Sequence, residues 1–207
     1  DDLLSLIMEN TVTALEARAG VLLLVDGEVH DLYVKTAWAQ PGYAPNTLLR
    51  IRLGEGMAGW VAKEGRPMRG KGRLEPTEAS SGHEQDGPIL CVPLKLREQT
   101  LGVVAVLRES GARLFGEDDE SLLESIGSQV AVAIENYRLN LDVERTYLET
   151  IMALALAVEA KDPYSAGHSK RVGFYASKIG EVMGLNAETL RVLNDAGVLH
   201  DIGKIGI

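Results

Sequence analysis

The sequence predicts an α+β domain of antiparallel sheet and helices, then a long connecting helix, then an all-α segment. Three observations predict it. Short β-type runs separated by Gly, Pro and Asp turns fill the first half of the chain. From Glu117 to Lys161 there is no Pro and one Gly, Gly127. Beyond that, apolar residues recur at helical spacing to the end of the 207 residues.

The elements follow in order. The first ~18 residues read as a helix with Leu3, Leu4, Ile7, Met8, Val12 and Leu15 on one side. Val21 to Asp26 is a buried-type strand, Asp26-Gly27 a hairpin signal, and His30 to Trp38 the return strand. Pro41-Gly42 and Pro45-Asn46 break the chain. Leu48 to Leu53 alternates like a strand with Arg50 and Arg52 outward. Gly54-Glu55-Gly56 precedes a short helix, Met57 to Glu64, ended by Gly65. Residues 70–87 read as a polar loop. Ile89 to Leu96 and Leu101 to Leu107 form a second hairpin around Glu98-Gln99. Phe115-Gly116 leads into the long helix, whose first turn is acidic where the helix dipole favours it. Strands flanked by helices in this order give an α+β domain with a mostly antiparallel sheet.

Composition narrows the function classes. The net charge of −9 argues against a nucleic-acid-binding surface. It divides into −7 over residues 1–140 and −2 over 141–207. A basic cluster, Lys63, Arg66, Arg69, Lys71 and Arg73, is either an anion site or a solvated loop diluted by Glu64 and Glu75. No run approaches the ~20 apolar residues of a membrane span. The acidic start is no secretory leader, and its lack of Met reads as a piece of a longer protein. A single Cys, Cys91, excludes an internal disulfide and fits a reducing, cytoplasmic setting.

The chemistry-bearing string is His200-Asp201-Ile202-Gly203-Lys204. Adjacent nitrogen and oxygen donors suit Fe, Mn or Zn better than an oxygen-only cation. Two adjacent residues cannot close a coordination sphere, and His168 is the best third donor. Ser165 is placed to cap a helix running to about Met183 and ended by Gly184. On it His168, Val172, Tyr175, Ile179 and Val182 share a stripe expected to face inward. Asn186 is placed to cap the next helix, on which Leu190, Leu193, Gly197 and His200 share a face. Two helices then bring His168, His200, Asp201 and Lys204 toward one seam.

The string Glu159-Ala160-Lys161-Asp162-Pro163-Tyr164-Ser165-Ala166-Gly167-His168-Ser169-Lys170-Arg171-Val172, followed by Leu199-His200-Asp201-Ile202-Gly203-Lys204-Ile205, resembles the HD-GYP branch of the HD superfamily. The resemblance implies a helical, metal-dependent phosphodiesterase hydrolysing cyclic di-GMP in bacterial signalling. It implies His168 and His200 as metal ligands, Asp201 bridging two metals, and Lys204 on a phosphate, with two or three Fe or Mn ions in the complete domain. The family's downstream His, His-His pair, Asp and Gly-Tyr-Pro segment have no counterpart up to Ile207. The chain alone is therefore expected to be a truncated, inactive form.

Gly54-Glu55-Gly56-Met57-Ala58-Gly59-Trp60-Val61-Ala62, Gly65-Arg66-Pro67, Cys91-Val92-Pro93-Leu94, Leu101-Gly102-Val103 and Phe115 before Glu117-Asp118 resemble a GAF domain over residues 1–140. That implies a small-molecule sensor, with residues 141–207 as the output segment. Trp38, Tyr43, Trp60 and Met68 are pocket candidates, and equally core. His83 is a remote haem candidate, and the sensed ligand is left open.

In the connector, Ile126, Val130, Ala133 and Tyr137 step like a coiled-coil seam, which resumes at Leu148, Ile151, Ala155 and Val158. The 11 residues between Tyr137 and Leu148 imply a four-residue insertion around Asn140–Arg145. The same residues also suit a helix packed on its own domain. A homodimer through helices is expected, because the second segment shows apolar stripes without partners. Two other functions stay open: a GAF binding and dimerisation module with a non-catalytic output, and an HD phosphohydrolase acting on another nucleotide.

Overall fold

The computed structural model describes residues 2–43, 45–74, 86–159 and 167–203. The chain forms two compact units, Asp1–Asn136 and Tyr137–Ile207. The boundary falls four residues ahead of the 140/141 boundary expected from sequence, inside one helix.

The first unit contains α1 (Asp2–Ala14), β1 (Ala19–Val25), β2 (Asp31–Ala39), β3 (Arg50–Arg52), α2 (Gly56–Glu64), β4 (Met68–Gly72), β5 (Gly87–Leu96), β6 (Gln99–Leu107) and the start of α3 (Glu117–Glu159). The six strands form one sheet in the order β3-β2-β1-β6-β5-β4, antiparallel at every pairing. The central strands are buried on both faces, and the two-residue period of a strand sorts their side chains into two cores. Leu22, Leu24, Leu90, Val92, Leu94, Val104 and Val106 pack with Met8, Val12 and Leu15 of α1 and Leu123, Val130 and Ile134 of α3. On the other face Val21, Leu23, Ile89, Cys91, Val103 and Ala105 pack with Ala58, Val61 and Ala62 of α2. The α+β sheet domain is thus built as the sequence patterning implies.

Local chemistry moves several boundaries. The first helix ends at Ala14 rather than near Arg18, because Glu16 turns left-handed (φ 50°) and the Ala17 N–H donates back to the Val12 carbonyl. The first hairpin loop spans residues 26–30 instead of two. The Asp26 side chain accepts from the Glu28 N–H, and the His30 N–H donates to the Asp26 carbonyl, which holds a wider turn. The expected strand Leu48–Leu53 shrinks to Arg50–Arg52, with Leu48 90% exposed. Gly65 ends α2 in the left-handed region (φ 63°), its N–H donating to the Val61 carbonyl. Part of the polar loop expected over 70–87 is strand: β4 pairs with β5 from Met68↔Cys91 to Gly72↔Gly87. Residues 75–85, with His83, lie outside the described residues. The second hairpin turns at Arg97-Glu98, one residue earlier than expected.

One polar knot joins α1, β6 and α3. Arg108, 2% exposed, donates through Nη2 to the Leu15 carbonyl (2.7 Å) and to Asp119 Oδ1 (3.0 Å). Its guanidinium lies 3.9 Å from the Phe115 ring centroid. Asp119 also accepts from Arg113 Nη1 (2.9 Å) and from the Gly116 N–H (2.8 Å). Burial on its own raises the Asp119 carboxyl, but the Gly116 N–H and the two guanidinium groups more than reverse this and hold it at about 2.

The second unit contains the rest of α3, α4 (His168–Val182) and α5 (Ala187–Leu199). No helix among the described residues is long and apolar enough to cross a membrane.

Candidate metal centre

The site is set by how closely α4 and α5 approach. Asn186 caps α5, its side chain accepting from the Thr189 N–H at 2.9 Å. Gly173 and Gly197 face each other: a Cβ built on Gly197 would lie 2.5 Å from the Gly173 Cα, and one on Gly173 would lie 2.7 Å from the Asn194 carbonyl oxygen. Side chains at these two positions would push the helices apart. Ser177 Oγ donates across the pair to the Leu190 carbonyl at 3.3 Å.

This packing overturns one expectation. Tyr175, Ile179 and Val182, taken as the inward stripe with His168, are 60%, 62% and 91% exposed. The buried face of α4 is Ser169, Gly173 and Gly180, because helices that touch backbone to backbone bury small residues and leave large ones outside. Position 167 caps α4 as a left-handed glycine (φ 73°), while Ser165 lies outside the described residues, as does the Asp162-Pro163-Tyr164 segment. The α5 face that carries Leu190, Leu193 and Gly197 does meet α4, where Gly180 opposes Leu190 and Leu193.

His168 opens α4 and His200 closes α5, and their ring centroids are 5.2 Å apart at 64°. With Asp201 they form a cluster whose donor atoms all lie within 4.8 Å of one another. His200 Nδ1 is 2.8 Å from the Gly197 carbonyl oxygen. A carbonyl only accepts, so Nδ1 carries the proton and donates. This carbonyl belongs to the last turn of α5, which has no helical donor of its own. The bond fixes the tautomer and leaves an Nε2 lone pair in the neutral imidazole.

That lone pair faces Asp201 Oδ2 at 3.3 Å. Two electron-pair donors at this distance repel unless a cation lies between them, either a second proton on His200 or a metal ion. Ligand bonds of about 2.0–2.2 Å place neighbouring donors about 3–3.5 Å apart, so the His200–Asp201 spacing suits a shared metal. The His200 and Asp201 side chains are 35% and 31% exposed, so a substrate can reach them. The donor set and tautomer fit a borderline divalent metal. Lys204, the expected phosphate contact, lies outside the described residues.

The other pocket candidates divide between the two cores. Trp38 on β2 packs on the core facing α1 and α3, whereas Tyr43, Trp60 of α2 and Met68 of β4 pack on the opposite core. Two of the five residues of the basic cluster are engaged in ion pairs: Arg69 meets Glu120 at 2.7 Å and Arg73 meets Asp86 at 3.0 Å. Cys91 is buried, and burial pushes its thiol up to about 12, which makes it inert. Sequence reading missed the Gly197 carbonyl that orients His200. The only signal was a glycine three residues before a histidine at a helix end.

Residues 1–135 match the sequence profile of the GAF domain. Among curated proteins, the chain is 31% identical over 111 residues to 3'3'-cGAMP-specific phosphodiesterase 2 of Vibrio cholerae, covering 54% of this chain and 21% of that protein. It is 37% identical over 81 residues to 3'3'-cGAMP-specific phosphodiesterase 3 of the same organism, covering 39% of this chain and 18% of that one. It is 36% identical over 66 residues to the cyclic di-GMP phosphodiesterase response regulator RpfG of Xanthomonas campestris, covering 32% and 18%. The chain thus spans about a fifth of the length of the curated relatives it matches. Among solved structures, the GAF domain of an Acinetobacter phosphoenolpyruvate-protein phosphotransferase superposes with a TM-score of 0.55 at 20% identity, over 67% of this chain and 83% of that one. The GAF-B domain of DevS from Mycobacterium smegmatis gives 0.53 at 20% identity, over 69% and 95%. At this identity the likeness speaks to the fold.

Proposed function

The chain belongs to the GAF domain family, and from that premise we propose that it is the sensor and the first part of the catalytic domain of a metal-dependent phosphodiesterase of the HD-GYP type, acting on a cyclic dinucleotide. The convergence of His168, His200 and Asp201 from two helix ends, with Nδ1 of His200 held on the Gly197 carbonyl and Nε2 turned to Asp201, is the observation that carries the reading. The relatives' printed activities, on 3'3'-cGAMP and on cyclic di-GMP, support the substrate class, and cyclic di-GMP is the substrate we favour.

In this reading His168 and His200 hold a divalent metal, Fe or Mn, through ring nitrogens, and Asp201 holds it through its carboxylate. When bound, the metal supplies Lewis-acid stabilisation of phosphate charge and an acidified water. Gly197 keeps His200 in the tautomer that can ligate. The exposure of His200 and Asp201 admits the phosphodiester. Lys204 would neutralise a phosphate oxygen, and the GAF unit would bias the output through a small molecule.

The test compares this chain with one extended through a complete catalytic domain, using cyclic di-GMP and 3'3'-cGAMP with Mn or Fe(II). Turnover by the extended form, abolished by His200→Ala and by Asp201→Ala, is the expected result. Metal binding without cleavage of either dinucleotide would shift the reading to a phosphohydrolase for another nucleotide. No metal binding at all would leave a GAF binding module with a non-catalytic output.

A further inference from the structure

The helix pair that carries the metal cluster is built differently at its two ends. At the closed end a short turn, residues 183–186, joins α4 to α5. Gly184 there is left-handed (φ 75°), and the Leu185 N–H donates to the Gly180 carbonyl at 3.1 Å, which caps α4. Asn186 caps α5, accepting from both the Thr189 N–H and the Thr189 hydroxyl. Leu185, Leu190 and Leu193 close around Gly180. At the open end α4 starts after Gly167, which has no side chain to accept from the first N–H groups. There α5 runs out at His200 in a helical conformation (φ −56°), and no left-handed residue follows among those described. The Gly197 carbonyl is taken up by His200 Nδ1, so that bond comes from a member of the cluster itself. What stands at this end is His168, His200 and Asp201, their donor atoms all within 4.8 Å of one another.

We propose that a divalent metal held by His168, His200 and Asp201 is the clasp of this end: metal binding and closure of the α4–α5 hairpin are one linked equilibrium. Resting on the metal-site reading above, this gives the ion a structural role beside its chemical one. Three observations carry it. First, the ligands come from both sides of the hairpin. His168 is the first residue of α4, and His200 and Asp201 follow the last residue of α5. One ion therefore ties together the two strands of the hairpin where the turn does not. Second, little apolar burial holds the pair shut. Gly173 and Gly197 meet backbone to backbone, the leucines sit at the closed end, and Val198 (8% exposed) is the one buried apolar side chain of the two helices. Opening from the other end uncovers little, so a clasp there decides the balance. Third, closure is what assembles the site. The His168 and His200 rings lie 5.2 Å apart across the pair. In an opened pair only the adjacent His200 and Asp201 remain together, too few donors to hold an ion firmly. An ion that binds the closed pair better than the opened one favours closure in proportion to its concentration.

The test is hydrogen exchange, read by mass spectrometry on this 207-residue chain, beside a calorimetric titration with Mn(II). Amides in the second turn of α4 and the last turn of α5 are expected to exchange more slowly as Mn(II) rises. The slowing should grow in proportion to Mn(II), reaching ~100-fold at 100 times the dissociation constant. Helix α2, in the other unit, is the internal control and is expected to be unchanged. His200→Ala and Asp201→Asn should each abolish both the binding and the slowing. Asp201→Asn keeps the bond from His200 to the Gly197 carbonyl, so it reads the loss of metal without the loss of that bond. Binding without slowing in α4 and α5 overturns the clasp and leaves the metal-site reading standing. Equal slowing in α2 overturns it as well, because that is a general effect of the salt. So does slowing that persists in Asp201→Asn. No binding by the unsubstituted chain removes the metal-site reading and the clasp together. None of these outcomes depends on phosphodiesterase activity.

Discussion

The two units of this chain solve burial in opposite ways. In the first, each face of the sheet has its own cover, and two cores fill with Leu, Val and Ile held below a few per cent exposure. In the second, α4 and α5 touch through glycines and leave Phe174, Tyr175, Ile179, Val182 and Met183 in solvent. A buried Leu or Val contributes about 1.5–3 kcal/mol, so among the described residues the first unit draws far more stability from apolar burial than the second. Yet the chemistry-bearing side chains sit in the second. The difference teaches that a cluster of side chains can be positioned locally, by a helix pair and one carbonyl bond, without a large apolar core beside it.

The largest expected effect breaks the first unit alone. Asp119→Ala leaves the Arg108 guanidinium buried and without its carboxylate, which costs about 3–5 kcal/mol. Urea unfolding followed by near-ultraviolet signals of Trp38 and Trp60 should show that loss; a loss under about 1 kcal/mol would mean the knot is not a brace. Acid should approach the same end without mutation. The folded Asp119 carboxyl lies at about 2, below the ~3.9 of an unfolded aspartate. A depressed carboxyl adds stability above its unfolded value and loses it as pH falls through the folded one. The wild type should therefore lose about 2 kcal/mol between pH ~4 and pH ~2, and Asp119→Asn should show a flatter decline over that window.

An intermediate effect tests the helix pair. Gly173→Ala puts a methyl group against the Asn194 carbonyl, a backbone atom that cannot step aside. Gly180→Ala meets the ends of the Leu185, Leu190 and Leu193 side chains, which can. Overpacking of this kind costs about 1–3 kcal/mol at the rigid contact and less at the flexible one. If the Gly173–Gly197 contact sets the His168–His200 spacing, Gly173→Ala should also weaken Co(II) binding and alter its visible spectrum, with Gly180→Ala close to wild type. Equal losses from both would reduce the contact to general packing.

These contrasts also explain what could be read in advance. The sheet was legible because period-two patterning and turn glycines are local signals: Val21 to Val25, Ile89 to Leu96 and Gly65 all landed in their expected elements. Convergence of His168, His200 and Asp201 was legible because the sequence places His168 at the start of one helix and His200-Asp201 at the end of the next. The α4 face was not, since apolar periodicity cannot separate a stripe that packs from one that waits for a partner. Nor was the Arg108–Asp119 knot, which joins residues through three elements that only the tertiary fold brings together. Along α3, Val130 and Ile134 pack on the sheet of the first unit, the second of the two arrangements the helical repeat allowed.

The smallest expected effect is the sharpest test of the contrast itself. Val182 is 91% exposed and Ile179 62% exposed on α4. If the stripe waits for a partner, then Ile179→Gln with Val182→Gln should change the stability of this chain by no more than about 0.5 kcal/mol, as surface substitutions do. In a form extended through a complete catalytic domain the same pair should cost several times more, because the stripe would then be covered. Thermal unfolding of both forms, each with and without the two substitutions, reads the difference directly. A large loss in this chain would mean that the stripe is already buried here and that the second unit closes on itself. Equal, negligible losses in both forms would make it an ordinary solvent-facing surface.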